Sequence, residues 1–495
     1  MTSFLIALAV LIGGYFVYGA LMDRIFGVDP KRDMPAYNLR DGVDYIPMPT
    51  WKVFLIQFLN IAGLGPIFGA IMGIMFGPAA FLWIVLGTIF AGAVHDFLSA
   101  MISLRSGGKS LPEIVGNELG SGVKFTVRVL SIALLILVGA VFVLTPADLL
   151  QGMTPDFMTR EVWIAIIFIY YIAASILPID KIIGNFYPVF GFALLFMAVG
   201  LLCVLLFGGV TIPDGFSDGL ASRYSDESHP IFPMLFVSVA CGALSGFHAT
   251  QSPMMVRCLK NERLARPVFY GAMVAEGLVA LIWAAAAIAF TGGYDELHTY
   301  MQTHTTADAV RNIPNAWLGA AGGILAVLGV IVAPITTGDT ALRSARLSIA
   351  DIIGYDQRPI SKRLLLTLPI FGLCFFLMMI DFEVLWRYFA WVNQTLAVFT
   401  LWAITVYLAR HRKAYIVTLL PALFMTAVSV TYLLFAPEGF QLNHTLSVGI
   451  GVAVSTLLLL LFLRYLHLLR LPNSPIKTTD LPYPPIKAST PKAEQ

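Results

Sequence analysis

Apolar runs of about 20 residues, long enough to cross the hydrocarbon core of a bilayer, recur along the whole chain. One lies at 4–22. Ten begin near Val53, Ala79, Phe125, Val162, Phe186, Ile231, Val268, Trp317, Leu364 and Glu383, and two more lie at 415–436 and 446–469. The pattern predicts an all-α polytopic membrane protein of about 13 transmembrane helices. Two runs are interrupted. The first carries Asn60-Ile61-Ala62-Gly63-Leu64-Gly65-Pro66, and the second Gly242-Ala243-Leu244-Ser245-Gly246, followed by His248, Gln251 and Pro253. In a bilayer every backbone polar group must be bonded internally, so glycine and proline clusters at mid-depth are tolerated only beside protein or a wet cavity. Two such breaks in corresponding positions of two halves point to the substrate site of a secondary transporter.

Loop charge fixes an orientation. With the N-terminus outside, all but Arg160, Arg223, Arg311 and Arg387 of the 31 Lys and Arg residues fall on the cytoplasmic side, including Arg105, Lys109, Lys181, Arg257, Arg343, Arg358 and Arg410. The positive-inside bias therefore predicts N-out, C-in. The chain then divides into an accessory N-terminal helix with a cytoplasmic loop (1–52), a first five-helix repeat (53–208), an exterior loop (209–230), a second five-helix repeat (231–410), two accessory C-terminal helices (411–470) and a cytoplasmic tail (471–495). Five helices per unit force opposite topologies, and the broken helix comes first in each unit. That is an inverted repeat crossing at the bilayer midplane. The polar, fairly acidic segments 211–230 and 292–314 are expected to form short exterior caps or lids. The tail, rich in proline, lysine and threonine, is expected to be disordered.

Composition excludes a soluble domain: 58% of residues are hydrophobic, 12% are charged, and mean hydropathy is +0.81. A net charge of +2, with no basic cluster interleaved with aromatics, gives no sign of nucleic acid. Cys203, Cys241, Cys258 and Cys374 lack metal-ligand spacing and read as small packing residues. Met1-Thr2-Ser3-Phe4 has no basic region ahead of the first apolar run, which is expected to be a retained membrane segment.

Ionisable groups at mid-bilayer are costly and need a reason. Glu276, about nine residues into its helix, is either a proton carrier or ion ligand, or a partner for a neighbouring helix. The adjacent His95 and Asp96 either relay protons or form a helix-end pair reaching interfacial water. His248 combines a titratable ring with irregular backbone, and Gln251 follows within a turn; both are candidates for substrate or proton contact. Thr336, Thr337, Asp339 and Thr340 offer oxygen ligands for a monovalent cation or a proton, or else mark a cytoplasmic helix end where Arg343 and Arg346 pair Asp339. Asn393 and Gln394 are glue between helices or a gate. Half-helix N-termini at the breaks suit a carboxylate, while unwound carbonyls suit a cation, so the pattern fits a small anionic or zwitterionic solute.

Enzyme readings fail. Gly108-Lys109-Ser110 resembles the end of a phosphate-binding loop, but Ser103 stands where its first glycine belongs. No His-Glu-x-x-His occurs, and Ser245 and His248 are too near in sequence to form a credible protease dyad. A channel would show rings of like residues or a filter repeat, and none is present. No enzyme activity, metal or cofactor is expected.

Five ordered motifs resemble one family. Asn60 to Pro66, Gly92-Ala93-Val94-His95-Asp96-Phe97, Ser245-Gly246-Phe247-His248-Ala249-Thr250-Gln251, Gly338-Asp339-Thr340-Ala341-Leu342-Arg343 and Trp391-Val392-Asn393-Gln394-Thr395 are similar to the carbon-starvation protein A (CstA) family, in a shorter branch. The resemblance implies uptake of peptides or pyruvate across the bacterial cytoplasmic membrane. It also implies kinship with the LeuT-type amino-acid–polyamine–cation superfamily. By that analogy Asn60, Gly63, Gly65, Ser245, His248 and Gln251 would bind substrate, and Ala62, Thr336, Thr337 and Thr340 would serve coupling. The expectation is a symporter working by alternating access. Coupling to protons through His95, Asp96, His248, Glu276 and Asp339 is the first reading, and coupling to sodium is the alternative.

Overall fold

The computed structural model describes residues 1–41, 45–176, 183–226, 228–355 and 360–471. Lys181, Arg358 and the tail from 472 onward lie outside them. Among the described residues every regular element is helical. An N-terminal helix, α1 (Thr2–Phe26), precedes a broken pair, α2 (Thr50–Ile61) and α3 (Gly65–Ile74). Then come α4 (Ala79–Arg105), the short α5 (Leu111–Leu119), α6 (Ser121–Gln151), α7 (Arg160–Ile176) and α8 (Ile183–Phe207). The second half opens with α9, a π-helical turn Ile231–Leu235 running into Phe236–Ser238, and resumes as α10 (Gly246–Val256). It continues with α11 (Glu262–Thr291), α12 (Tyr294–Met301), α13 (Thr306–Ala326), α14 (Ala333–Ile353), α15 (Ile360–Leu377), α16 (Phe382–Arg410), α17 (Ile416–Phe435) and α18 (His444–Arg470).

Eight of the described helices are long and apolar enough to cross a membrane, and counting two bent pairs as one span each brings the number to ten. The sequence pattern anticipated about 13. The difference lies in three segments. They are α7, which has 17 residues, α15 (Ile360–Leu377), and α9–α10, which is unwound through Val239–Ser245.

Both expected breaks are present, and each has a local cause. α2 ends at Ala62, and α3 starts at Gly65 with Pro66 in its first turn, where the missing N–H costs nothing. The two halves meet at 48°. The second break leaves regular helix from Val239 to Ser245; Leu244 N–H still returns to the Ala240 carbonyl at 3.1 Å, and Ser245 itself is extended. α3 closes against this unwound backbone through a stripe of glycines. A β-carbon at Gly65 would stand 2.2 Å from Cys241 Cβ, one at Gly69 2.9 Å from the Ser238 carbonyl, and one at Gly73 2.1 Å from Val239 Cγ2. Such four-residue spacing of small residues is how membrane helices approach closely.

α4 is the other wall. Its stretch Trp83–Gly92 is π-helical, a geometry frequent at functional sites, and Gly92 rests on the Ala243 carbonyl at 2.2 Å from an ideal β-carbon. α10 packs on α4, α2 and α16, while α11 packs on α3 and α2. These elements enclose the centre of the molecule.

The segment expected as an exterior cap or lid at 292–314 is more ordered than a loop. α12 occupies part of it, and α13 begins at Thr306, well ahead of the expected start at Trp317. The cause is a reciprocal cap: Asp308 Oδ2 accepts from Thr305 N–H at 2.9 Å, and Thr305 Oγ1 accepts from Asp308 N–H at 3.2 Å. A residue at positive φ, Gly319 (58°), then kinks α13. α5 was not anticipated, although Pro112 in its first turn is a recognised start signal.

Candidate functional site

The second break is held open by side chains from neighbouring helices. Asn393 on α16 accepts from Ser245 Oγ at 3.1 Å and from Phe247 N–H at 2.8 Å, and its Nδ2 donates to Cys241 Sγ at 3.4 Å. Gln394 donates to the Leu244 carbonyl at 3.1 Å, and Thr88 on α4 donates to the Gly242 carbonyl at 3.1 Å. Backbone groups without helical partners are thus satisfied without water, as a bilayer interior demands. Asn393 also takes one of the orphan amides at the start of α10, so this half-helix presents fewer donors to a carboxylate than its sequence promised. Asn393 and Gln394 thus each bridge α16 to the second break.

Past the break, α10 carries His248 to Asp96 of α4. His248 Nδ1 lies 2.8 Å from Asp96 Oδ2, and His95 Nδ1 lies 2.8 Å from Asp96 Oδ1. The other ring nitrogen of His248 faces Glu276 Oε2 of α11 at 3.4 Å, long for a hydrogen bond. All four side chains have no exposed surface. His95 and Asp96 therefore do not reach interfacial water; they sit inside the bundle.

The bonding pattern constrains where protons sit. An ionised Asp96 accepts two N–H bonds, which places a proton on Nδ1 of each imidazole. His248 Nε2 and Glu276 Oε2 then approach each other as two acceptors unless one of them carries a proton. At this burial such an uncompensated pair is costly, and a proton on either group would relieve it. No arginine or lysine joins the network among the described contacts.

The remaining predicted residues are placed differently. Asn60, Ala62, Gly63 and Gly65 line the first break and are buried; Gly63 packs against the ring of Phe142. Gln251 is buried, and its Nε2 donates to Thr250 Oγ1 at 3.0 Å. Thr336 and Thr337 donate to the Ala333 carbonyl at 2.7 and 3.1 Å, and Thr340 to the Thr337 carbonyl at 2.8 Å. Asp339 lies 3.6 Å from Arg343. This cluster packs with α14 against α6, α7 and α15, away from the Asp96 network. Four participants were not singled out from the sequence: Thr88, Gly69, Gly73, and Gln57, which is fully buried on α2. The Gly65-x3-Gly69-x3-Gly73 spacing was the available signal for the glycines.

The family model for carbon starvation protein CstA matches residues 1–159 and 154–321. The chain belongs to the CstA family. Among CstA-like relatives, it is 44% identical over 338 residues to a Haemophilus influenzae membrane protein, covering 59% of this chain and 91% of that one. It is 27% identical to the peptide transporter CstA of Campylobacter jejuni, covering 86% of this chain and 78% of that one. It is 29% identical to the pyruvate/proton symporter BtsT of Escherichia coli, covering 56% of this chain but 48% of that longer protein. A solved manganese transporter of Eremococcus coleocola superposes with a TM-score of 0.50 at 12% identity, over 85% of this chain and 94% of that one; at that identity the likeness shows the fold alone. The chain is therefore a multi-pass transporter of the bacterial membrane, with the LeuT-like helical fold that the family resemblance implied.

Proposed function

We propose that this CstA-family member is a proton-coupled symporter that imports peptides or pyruvate-like small carboxylates by alternating access. The observation that carries the reading is the buried Asp96, shared by His95 and His248, with Glu276 beyond. Titratable groups in a membrane interior typically mark ion or proton pathways, and this set joins the segment after the second break to two helices of the surrounding wall. Adding or removing a proton at His248 or Glu276 changes the net charge of a dry site. Its state is therefore tied to the packing of α10 on α4 and α11. The relatives' names supply the two solute classes, a peptide for one and pyruvate with a proton for the other.

The sodium alternative draws on the threonines of α14, whose hydroxyls bond to carbonyls of their own helix. The deciding experiment is uptake of labelled alanyl-alanine and of labelled pyruvate into proteoliposomes under an imposed pH or sodium gradient. Uphill accumulation driven by pH alone supports the proposal. Accumulation that requires sodium replaces it with sodium symport, and downhill flux insensitive to both gradients makes the protein a facilitator.

A further inference from the structure

We propose that Gln57 on α2, together with Gln251 on α10, is a recognition residue for the transported solute; this rests on the symporter reading above. Gln57 has no exposed surface, and neither its Oε1 nor its Nε2 has a hydrogen-bond partner. Each buried polar atom left unpaired costs roughly 1–3 kcal/mol. In an apolar helix a leucine would fill the same space without that cost, so the amide is expensive for the resting fold. Polar groups that violate packing rules in this way concentrate at functional sites.

Its location fits. Gln57 lies one turn before the first break, and Asn60, on the same face at i+3, lies at the end of α2. α2 packs directly on α10 and α11, the helices that carry His248, Gln251 and Glu276. Gln251 repeats the theme. Thr250 Oγ1 donates to the Phe247 carbonyl at 2.6 Å and so accepts from Gln251 Nε2, which fixes the amide's orientation and leaves Gln251 Oε1 buried and unpaired. Two half-helices flanking the two breaks thus each carry a carboxamide with an unmet acceptor, and Gln57 adds an unmet donor.

The chemistry of these groups selects among solutes. A carboxamide is satisfied by a partner that both donates and accepts. A peptide or amino acid offers N–H donors and carbonyl or carboxylate acceptors. Pyruvate offers acceptors alone and would leave both Oε1 atoms unmet. A site built to bond a donor discriminates strongly against an analogue lacking it.

The test is solute counterflow in proteoliposomes, which needs no proton gradient, with alanyl-alanine and pyruvate as the probes, paired with thermal unfolding of the same purified variants. Gln57→Leu should raise KM for alanyl-alanine about tenfold or more, with kcat changed less than about twofold, while the melting temperature stays level or rises. Gln57→Asn, which keeps the amide on a shorter arm, should fall between and serves if Gln57→Leu does not fold. A KM within about twofold of the parent in the folded variant overturns the assignment and leaves the symporter reading standing. Exchange of pyruvate but not alanyl-alanine by the parent overturns the solute preference. No exchange of either probe by the parent overturns the symporter reading and this inference with it.

Discussion

Asp96 Oδ2 sits 2.8 Å from His248 Nδ1, although the two residues are 152 apart in sequence and neither has exposed surface. Because Asp96 Oδ1 is taken by His95 at the same distance, one carboxylate fixes the tautomers of two imidazoles. Asparagine cannot do this: its amide nitrogen would face a ring N–H with another N–H. In Asp96→Asn one histidine must change tautomer, and misplacing one such bond costs roughly 1–3 kcal/mol, or about tenfold or more in proton-driven accumulation. Counterflow, which needs no net proton movement, should stay within about threefold of the parent. Equal loss of both would show that Asp96 is needed for the fold or for solute binding rather than for coupling.

The glycine face of α3 makes a packing prediction. Gly73→Ala would place a methyl 2.1 Å from Val239 Cγ2, and overpacking of this kind costs roughly 1–3 kcal/mol. Val239→Ala removes the obstructing methyl, so the double variant should recover most of the loss. Thermal unfolding of the single and double variants gives the coupling directly. Additive effects would mean that the two surfaces do not meet.

Glu262 is fully buried and receives Arg105 Nε at 2.8 Å and Arg32 Nε at 3.5 Å. Arg105 also donates to the Gly27 carbonyl at 2.7 Å, and Asn261 to the Pro30 carbonyl at 2.7 Å. The loop after α1 is thereby tied to the ends of α4 and α11. Removing one member of a buried ion pair typically costs about 3–5 kcal/mol; with Arg105 and Arg32 partly open to solvent, Glu262→Gln should cost about 3 kcal/mol or less. A melting temperature unchanged by Glu262→Gln would show that the tie contributes nothing to stability.

Glu118, at the end of α5, is paired with Arg410 at 3.2 Å and flanked by Tyr465, which bonds the same arginine. Burial outweighs the attraction of Arg410 and pushes its carboxyl up from 4.5 to about 7. The folded state therefore holds a proton that the unfolded chain has released. Stability from this group is full below about pH 4.5 and is lost as pH rises through about 7, with a limiting slope of about 1.4 kcal/mol per unit. In melting curves from pH 4 to 8, Glu118→Gln should flatten that window. A parent curve that already rises across it would contradict the assignment.

The two breaks were legible because glycine and proline at mid-depth have few explanations in a bilayer. His95, Asp96, His248 and Glu276 were each legible as buried ionisable residues, but their meeting was not, since it depends on how α10 docks between α4 and α11. The density of Thr336, Thr337 and Thr340 left an ion site and a plain helix end equally open. Threonines in a helix can bond their hydroxyls back to preceding carbonyls, and these do. Gln57 passed unnoticed because one amide in an apolar run carries no pattern; only its complete lack of partners sets it apart. The start of α13 was readable from the Thr305-x-x-Asp308 cap but was overridden by the polarity of the segment.

The two breaks differ in how they are restrained. Val239–Ser245 is fastened by Thr88, Asn393 and Gln394, whereas no side-chain hydrogen bond reaches Ala62, Gly63 or Leu64 among the described residues. Mechanically, one joint is bolted to the frame and the other is seated by shape alone. Torque applied between the halves of the bundle would be taken up first at the seated joint, making α2 the lever arm and the elbow at Ala62–Leu64 its pivot.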